Sequence, residues 1–299
     1  MRRYPTAVAT AAIAEVALAP ATADATYPGR EGRIAFSPGS SSLAGKSLYT
    51  AKPDGSDRRE LAPDASGARW SANGKLVAWS GFDGVYVANA DGSNARKVSD
   101  VGGTVALSPD GATLVGSRTL PANPDNWSIR PDLVAVDLAT GQERLVAYDA
   151  VEPTFSPDGK RVAFVDQSRQ RYRYRSIGVV GLDGKGRRLV YRGGAAAISV
   201  DAIDWSPSGA SIAFVQSDRG QSTSLSVVTL RSGGVKRLRR AGRGKGSLGR
   251  GVSWSPTGKR LAVGSWDGNR NYELLLVTTR GRATKVGRKG QAPSWQPLR

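Results

Sequence analysis

"PTFSPDGKRVAFV", Pro153 to Val165, sets an aromatic residue before a tight polar turn and a short apolar run after it. Variants of this stretch begin at Ala68, Ala106, Ile203 and Val252, so the phrase occurs five times in the chain. Proline holds φ near about −65° and glycine accepts positive φ, so Ser-Pro-Asp-Gly is typical of a hairpin turn. A hairpin phrase that recurs along a chain indicates a repeat architecture.

The residue just before each turn serves as an anchor for measuring the repeat. The five anchors are 37, 48, 50 and 49 residues apart, and a sixth candidate in "APSWQPLR" follows after 41 more. The six anchors are Trp70, Leu107, Phe155, Trp205, Trp254 and Trp295. These intervals bracket the roughly 40–45 residues of a four-stranded propeller blade. We predict that the anchor side chains are buried between neighbouring blades, rather than exposed for ligand stacking.

A second hairpin completes each repeat. After "PTFSPDGKRVAFV" the chain continues with "SIGVVGLDGKGRRLV", residues 176–190, in which two apolar segments flank Asp183-Gly184. Similar pairs recur as "GVYVANADGSNARKV", "LVAVDLATGQERLV", "LSVVTLRSGGVKRL" and "LLLVTTRGRATKV". Each repeat therefore predicts four short antiparallel strands, here named A, B, C and D.

The two ends of the repeat region complement each other. "GRIAFSP" near the start resembles a B strand with no A strand before it, and "APSWQPLR" resembles an A strand with no B strand after it. Pairing of residues 292–297 with residues 32–36 would close the ring and remove two open sheet edges. The sequence thus predicts an all-β fold, a six-bladed β-propeller of four-stranded antiparallel blades closed by its own termini.

Composition excludes the commonest catalytic designs. The 299 residues include neither cysteine nor histidine. Disulfides, thiolate catalysis and a Ser-His-Asp mechanism are therefore excluded, and histidine, the commonest metal ligand, is absent. We predict that the protein is not an enzyme, and we assign no catalytic, cofactor-binding or metal-binding residues.

Residues 1–25 form a distinct N-terminal segment. Arg2 and Arg3 precede an Ala/Val-rich run from Ala7 to Leu18, and small residues follow. This layout is typical of a secretory signal peptide, and the alternative is a disordered leader. We expect residues 26–299 to form one propeller domain, monomeric, secreted or held in the periplasm or cell envelope. No later run reaches the roughly 20 apolar residues of a membrane-spanning helix.

The phrase "FSPDGKRVAFV" followed by "LDGKGRRLV" resembles the TolB-type, WD-repeat-like propeller family. Trp205–Pro207 and Trp254–Pro256 match its Trp-Ser-Pro-Asp-Gly core, although Ser208 and Thr257 replace the Asp. The resemblance covers about residues 32–297. It implies a six-bladed propeller, often exported, that commonly serves as a platform for other proteins. We expect the additional N-terminal α/β domain of TolB to be missing.

The formal charge of +18 favours acidic partners. In the predicted blades, B–C loops and D–A connections emerge at one end of the disc, where two basic clusters fall. The candidate anion- or partner-binding residues there are Arg169, Arg171, Arg173, Arg175, Arg239, Arg240, Arg243, Lys245 and Arg250. The alternative is that these Gly-rich basic loops are simply solvated, since the C–D turns at the opposite end are also basic.

Two function classes follow from these observations. The favoured one is an exported, non-enzymatic scaffold that binds a protein or an acidic envelope polymer; export argues against nucleic acid. The alternative is a hydrolase or lyase acting on a sugar or lactone through Glu152, Asp201 or Asp204 near the channel mouth. Asp166 is expected to be a turn residue, and Trp127 in the longest B–C loop either covers the channel or makes an exposed contact.

Overall fold

The computed structural model describes residues 28–37, 47–119, 131–168, 176–194, 197–242, 246–266, 272–288 and 290–298. These residues form six four-stranded antiparallel sheets. The first strand of each sheet contacts the first strand of the next, so that the six innermost strands surround a central channel. The predicted six-bladed propeller is confirmed. The leader, residues 1–25, lies outside the described residues.

The first three blades contain the following strands, numbered in chain order. Blade 1 is β24 (Gln291–Leu298), β1 (Arg30–Ser37), β2 (Leu48–Ala51) and β3 (Arg59–Ala62). Blade 2 is β4 (Ser66–Trp70), β5 (Leu76–Ser80), β6 (Val85–Asn89) and β7 (Arg96–Ser99). Blade 3 is β8 (Gly102–Leu107), β9 (Thr113–Thr119), β10 (Pro131–Asp137) and β11 (Glu143–Ala147).

The other three blades follow the same order from the channel outward. Blade 4 is β12 (Ala150–Phe155), β13 (Arg161–Asp166), β14 (Ser176–Gly181) and β15 (Arg188–Arg192). Blade 5 is β16 (Ala197–Trp205), β17 (Ser211–Asp218), β18 (Thr223–Thr229) and β19 (Val235–Ala241). Blade 6 is β20 (Leu248–Trp254), β21 (Arg260–Trp266), β22 (Tyr272–Thr278) and β23 (Ala283–Arg288).

The ring closes through the pairing of the two chain ends. β24 pairs antiparallel with β1, with Trp295 opposite Ile34 and Ser294 opposite Ala35. The observed pairing extends a little beyond the predicted one, to residues 30–37 and 291–298. The termini therefore form one composite blade, and the predicted closure is confirmed.

All six anchors are buried, none more than 5% exposed. Trp205 is fully buried and packs with residues of blades 4 and 5, including Val165 and Phe214. Trp295 packs with Ile34 of its own blade and with Leu276 of blade 6. Each buried large side chain contributes about 1.5–3 kcal/mol relative to exposure. The prediction that the anchors are structural is confirmed.

The serine of each recurring A–B turn forms hydrogen bonds across the turn, which explains why the same short sequence occurs five times. In blade 4 the buried Ser156 hydroxyl donates to Asp158 Oδ1 at 2.5 Å and accepts from the Arg161 N–H at 2.9 Å. In blade 6 Ser255 bridges its turn in the same way, and Thr257 supplies the partner oxygen at 3.0 Å. A hydroxyl thus replaces the carboxylate of the usual Asp without loss of the turn.

The A–B turn of blade 2 lies against the closing strand β24, so a substitution at its glycine measures how closely the two approach. Gly74 has φ +65°, and a Cβ added there would lie 2.0 Å from the Pro297 carbonyl oxygen. Gly141, with φ +73°, has no atom within 4 Å of such a Cβ. We expect Gly141→Ala to lower the free energy of unfolding by about 1 kcal/mol through backbone strain alone. Gly74→Ala should cost about twice as much, because the carbonyl must also move.

Chemical denaturation of both variants and of the unchanged protein measures this difference. Equal losses for the two variants would show that Pro297 does not approach the turn as described.

Candidate functional site

The antiparallel order gives the central channel two different ends. B–C loops and D–A connections emerge at one end, here called the loop end, and A–B and C–D turns emerge at the other, the turn end. The six residues that directly precede the anchors line the interior of the channel near the turn end. They are Arg69, Ala106, Thr154, Asp204, Ser253 and Ser294, and they enclose a cavity of about 50 Å³. The inner channel is therefore narrow and mostly polar.

Three of these wall residues connect successive blades. Thr154 Oγ1 of blade 4 donates to Asp204 Oδ1 of blade 5 at 3.2 Å. Asp204 Oδ2 accepts from the Trp254 N–H of blade 6 at 2.7 Å, and Ser253 Oγ accepts from the Trp295 N–H of blade 1 at 3.0 Å. Because the innermost strand of each sheet has a free edge, these side chains satisfy backbone donors that the sheet itself leaves open. Both oxygens of Asp204 thus serve the structure.

Asp204 is a buried carboxylic acid whose pKa is raised above its usual value. Burial raises the pKa of its carboxyl to about 6, while the Trp254 N–H and the charge of Arg69 oppose that rise. Arg69 belongs to blade 2 and Asp204 to blade 5, so the two groups lie on opposite sides of the six-bladed ring. The ring thus places one cation and one acid across a narrow polar channel.

Toward the loop end the channel widens into a funnel of about 720 Å³. Its wall includes Arg69 at the neck, Thr104 and Glu152 from the innermost strands, and the Gly81–Gly84 loop of blade 2. Phe82 in this loop is 89% exposed. The loop is short and closed by the Gly81 N–H donating to the Gly84 carbonyl at 2.8 Å. A phenyl ring exposed on a short loop beside a funnel is a candidate contact residue.

Two residues with a strained backbone also line the funnel. Glu152 and Ala292 have φ of +54° and +49°, which is costly for residues with a side chain. Each stands three residues before an anchor, where the innermost strand shifts register. Glu152 Oε1 accepts a hydrogen bond from Thr104 Oγ1 at 2.8 Å. Bulges of this kind re-aim side chains and are frequent beside binding sites.

The three carboxylates that the sequence suggested do not converge. Glu152 lines the funnel, Asp204 lines the inner cavity, and Asp201 accepts hydrogen bonds from Ser199 and Ser217, both at 2.7 Å. No group of three or more Asp or Glu side chains that could hold a metal ion is present among the described residues. The structure therefore brings together no set of carboxylates in the part of the chain that it describes.

The predicted basic clusters are only partly described. Arg169, Arg171, Arg173, Arg175, Arg243 and Lys245 lie outside the described residues, as does Trp127. Arg250 lies in β20, and nothing is described of its side chain. The grouping of these arginines into one binding face thus stays a prediction.

Arg239 and Arg240 require a correction. They lie within β19, the outermost strand of blade 5, and not in the connection to blade 6. Arg240 pairs with Asp218 at 3.0 Å. Outer strands rich in charge lack a clear apolar alternation, so the end of β19 resembles a loop in the sequence. Asp166, expected to be a turn residue, is the last residue of β13. Its carboxylate accepts the Ser168 N–H of the following turn at 2.7 Å and also pairs with Arg187 at 3.4 Å.

The outermost strands carry much of the positive charge. Every D strand presents at least one exposed cation at the rim of the disc, namely Arg59, Arg96, Arg144, Arg188, Arg237 and Lys285. Each D strand has one unpaired edge, and charged residues on such edges prevent pairing with other chains. Part of the surplus charge therefore has a structural reason. The recurrence of Lys and Arg in the fourth segment of each repeat was the signal in the sequence.

The comparisons with known proteins agree with this architecture. No family model and no curated protein matches the sequence. TolB from Acinetobacter baumannii matches with a TM-score of 0.72 and 20% identity, over 89% of this chain and 67% of that chain. A chain of a nidogen/laminin complex matches with a TM-score of 0.67 and 11% identity, over 88% of this chain and 98% of that chain.

One of the similar structures is an enzyme. An oligogalacturonate lyase in complex with manganese matches with a TM-score of 0.57 and 16% identity, over 81% of this chain and 71% of that chain. At these identities the likenesses show the fold alone. The chain has a TolB-like propeller fold, and its function has to be argued from its own residues.

Proposed function

We propose, from the premise of a TolB-like six-bladed propeller, that this protein is a non-enzymatic scaffold that binds a protein or an acidic polymer. We place it outside the cell, in the periplasm or in the cell envelope. The observation that carries the proposal is the funnel at the loop end, with Phe82 89% exposed at its edge. Concave sites with a few placed polar groups are the usual binding sites of rigid scaffolds.

Several features support this role over catalysis. The sequence has no histidine for general base work. Glu152 and Asp204 lie in separate cavities, and both oxygens of Asp204 accept structural hydrogen bonds.

The basic start and small-residue exit of residues 1–25 support export. Within the described ranges, no helix has the length and apolarity needed to cross a membrane.

Phe82→Ala tests the funnel as the binding site. Aromatic side chains supply a large share of interface energy, so we expect capture of the partner from an envelope extract to fall at least tenfold. Val235→Ala, which shortens a 49% exposed side chain in β19, is the matched control and should capture the partner normally. Quantitative mass spectrometry of the captured proteins and polymers gives the ratio.

Two results would overturn this proposal. One is capture by Phe82→Ala of the same partners in the same amounts as the unchanged protein. The other is turnover of a sugar or lactone, with divalent cations added, that is lost in Glu152→Ala or Asp204→Ala.

A further inference from the structure

A pocket of about 250 Å³ lies in blade 4, away from the channel. It is lined by Asp166, Ser168, Arg187, Arg188, Leu189 and Arg192. Four of these six residues come from β15 or from the residue just before it. The pocket therefore sits at the outermost strand, and neither the funnel nor the inner cavity shares any of its residues.

Arg187 is held in place by three contacts. It donates to the Tyr148 carbonyl, in the connection between blades 3 and 4, at 2.7 Å, pairs with Asp166 at 3.4 Å and lies 4.8 Å from the centre of the Phe164 ring. Its side chain is nevertheless 31% exposed. A guanidinium that is already fixed loses little further freedom when it binds a ligand.

Among the described residues, β15 has no ion pair between one of its cations and a carboxylate. On four of the other five rim strands one exposed cation does form such a pair, namely Arg59–Asp57, Lys97–Asp100, Arg240–Asp218 and Lys285–Glu273. On the fifth, Arg144 donates to the Leu182 carbonyl of the next blade. No carboxylate among the described residues pairs with Arg188 or Arg192, although both are exposed and line the pocket. These two guanidinium groups are thus open to an external anion.

The pocket keeps a positive charge after its internal pair is counted. Three arginines face one carboxylate, which leaves a formal charge of +2. The side chain of Asp166 is only 7% exposed and accepts the Ser168 N–H at 2.7 Å, so it presents little negative charge to a ligand. Guanidinium groups match carboxylate and phosphate oxygens with paired hydrogen bonds.

We infer that this pocket binds an oxyanion group, a carboxylate or a phosphate, carried by an acidic polymer. The inference deepens the proposed function and rests on it, since an acidic polymer is one of its two partners. It places the anion site on β15 in blade 4, away from the funnel, and every residue named for it lies in the described part of the chain.

The variant R188Q/R192Q tests the pocket against K236Q/R237Q, which removes the same charge from β19. Lys236 and Arg237 are exposed on their rim strand and line none of the pockets described above. Binding to polygalacturonate and to polyphosphate is measured at 0.15 M NaCl by fluorescence anisotropy. We expect R188Q/R192Q to raise Kd at least tenfold and the control to raise it less than twofold.

The two polymers and inorganic phosphate distinguish the sources of the anion. Tighter binding of polygalacturonate indicates a carboxylate ligand, while tighter binding of polyphosphate, displaced by inorganic phosphate, indicates a phosphate ligand. Equal weakening by both variants would overturn the site and leave the proposed scaffold standing. No binding of either polymer by the unchanged protein would overturn the site together with the polymer part of the proposed function, while the Phe82→Ala capture test would still decide the protein part.

Discussion

Removal of residues 291–299 is expected to abolish cooperative folding of the whole propeller. The deletion takes away β24, the innermost strand of blade 1, and exposes the edge of β1. It also leaves one of the six positions around the channel empty. An open ring with a long unpaired edge is prone to aggregation, so we expect an insoluble or molten product.

The closing strand contacts more than its own blade. The Trp295 N–H donates to Ser253 Oγ of blade 6 at 3.0 Å, and Trp70 Nε1 of blade 2 donates to the Ser294 carbonyl at 3.2 Å. Gln296 Nε2 donates to the Gly74 carbonyl at 2.9 Å. Because β24 is hydrogen-bonded to both neighbouring blades, its removal should destabilise the whole ring.

A single substitution gives the same test in a protein that still folds. Trp295 is 2% exposed, and Trp295→Ala should lower the free energy of unfolding by about 3–5 kcal/mol. Leu298→Ala, at a position 37% exposed in the same strand, should change it by less than about 0.5 kcal/mol. Circular dichroism during urea unfolding measures both. A deletion variant with the cooperative transition of the full chain would contradict the closed ring.

The second large effect concerns the pH dependence of stability through Asp204. Its carboxyl has a pKa raised to about 6 by burial, against a usual value of 3.8. The folded state therefore holds this proton more tightly than the unfolded state does. The free energy of unfolding should fall as pH rises from about 4 to about 6, by roughly 3 kcal/mol in total.

Asp204→Asn isolates this contribution. Asparagine keeps the size of the side chain and an oxygen for the Trp254 N–H, but it does not ionise. Near pH 4 the two proteins should be about equally stable, and above about pH 6.5 the variant should be more stable by roughly 3 kcal/mol. Among the residues that line the inner cavity, Arg69 is the other charged group.

The measurement is the difference between the two proteins in urea unfolding from pH 4 to pH 8. Other carboxyls, such as Asp57 and Glu143, have pKa values lowered by hydrogen bonds from arginines and give the opposite slope. Their contributions are common to both proteins and cancel in the difference. A difference that does not vary with pH would show that Asp204 does not titrate in this window.

Much of the architecture could be predicted because its signals are local. The Ser-Pro-Asp-Gly turns, the anchors before them and the complementary chain ends all lie within short stretches. The serine hydroxyl that accepts the N–H five residues later, as Ser156 does from Arg161, needs no distant partner. A hydrogen-bond pattern that is confined to one hairpin requires the same residue types in every repeat, so it can be recognised in the sequence.

The candidate sites were harder to predict because they depend on how blades meet. The carboxylates proposed from sequence separate into different cavities, and Arg239 and Arg240 belong to a strand. Phe82 stands outside the anchor pattern, and only its exposure at the funnel makes it a candidate. The pairing of rim cations with carboxylates, absent for Arg188 among the described residues, is likewise visible only in the folded chain.

The sequence by itself determined six blades, four strands in each and a ring closed by Trp295, because hairpin chemistry and apolar alternation act between near neighbours. Only the tertiary structure decided which side chains share the channel. Arg69 of blade 2 and Asp204 of blade 5 lie on opposite walls of the channel, because the two blades are three positions apart in a ring of six. The desolvation that raises the pKa of Asp204 then follows from all the surrounding blades together, which no short stretch of sequence encodes.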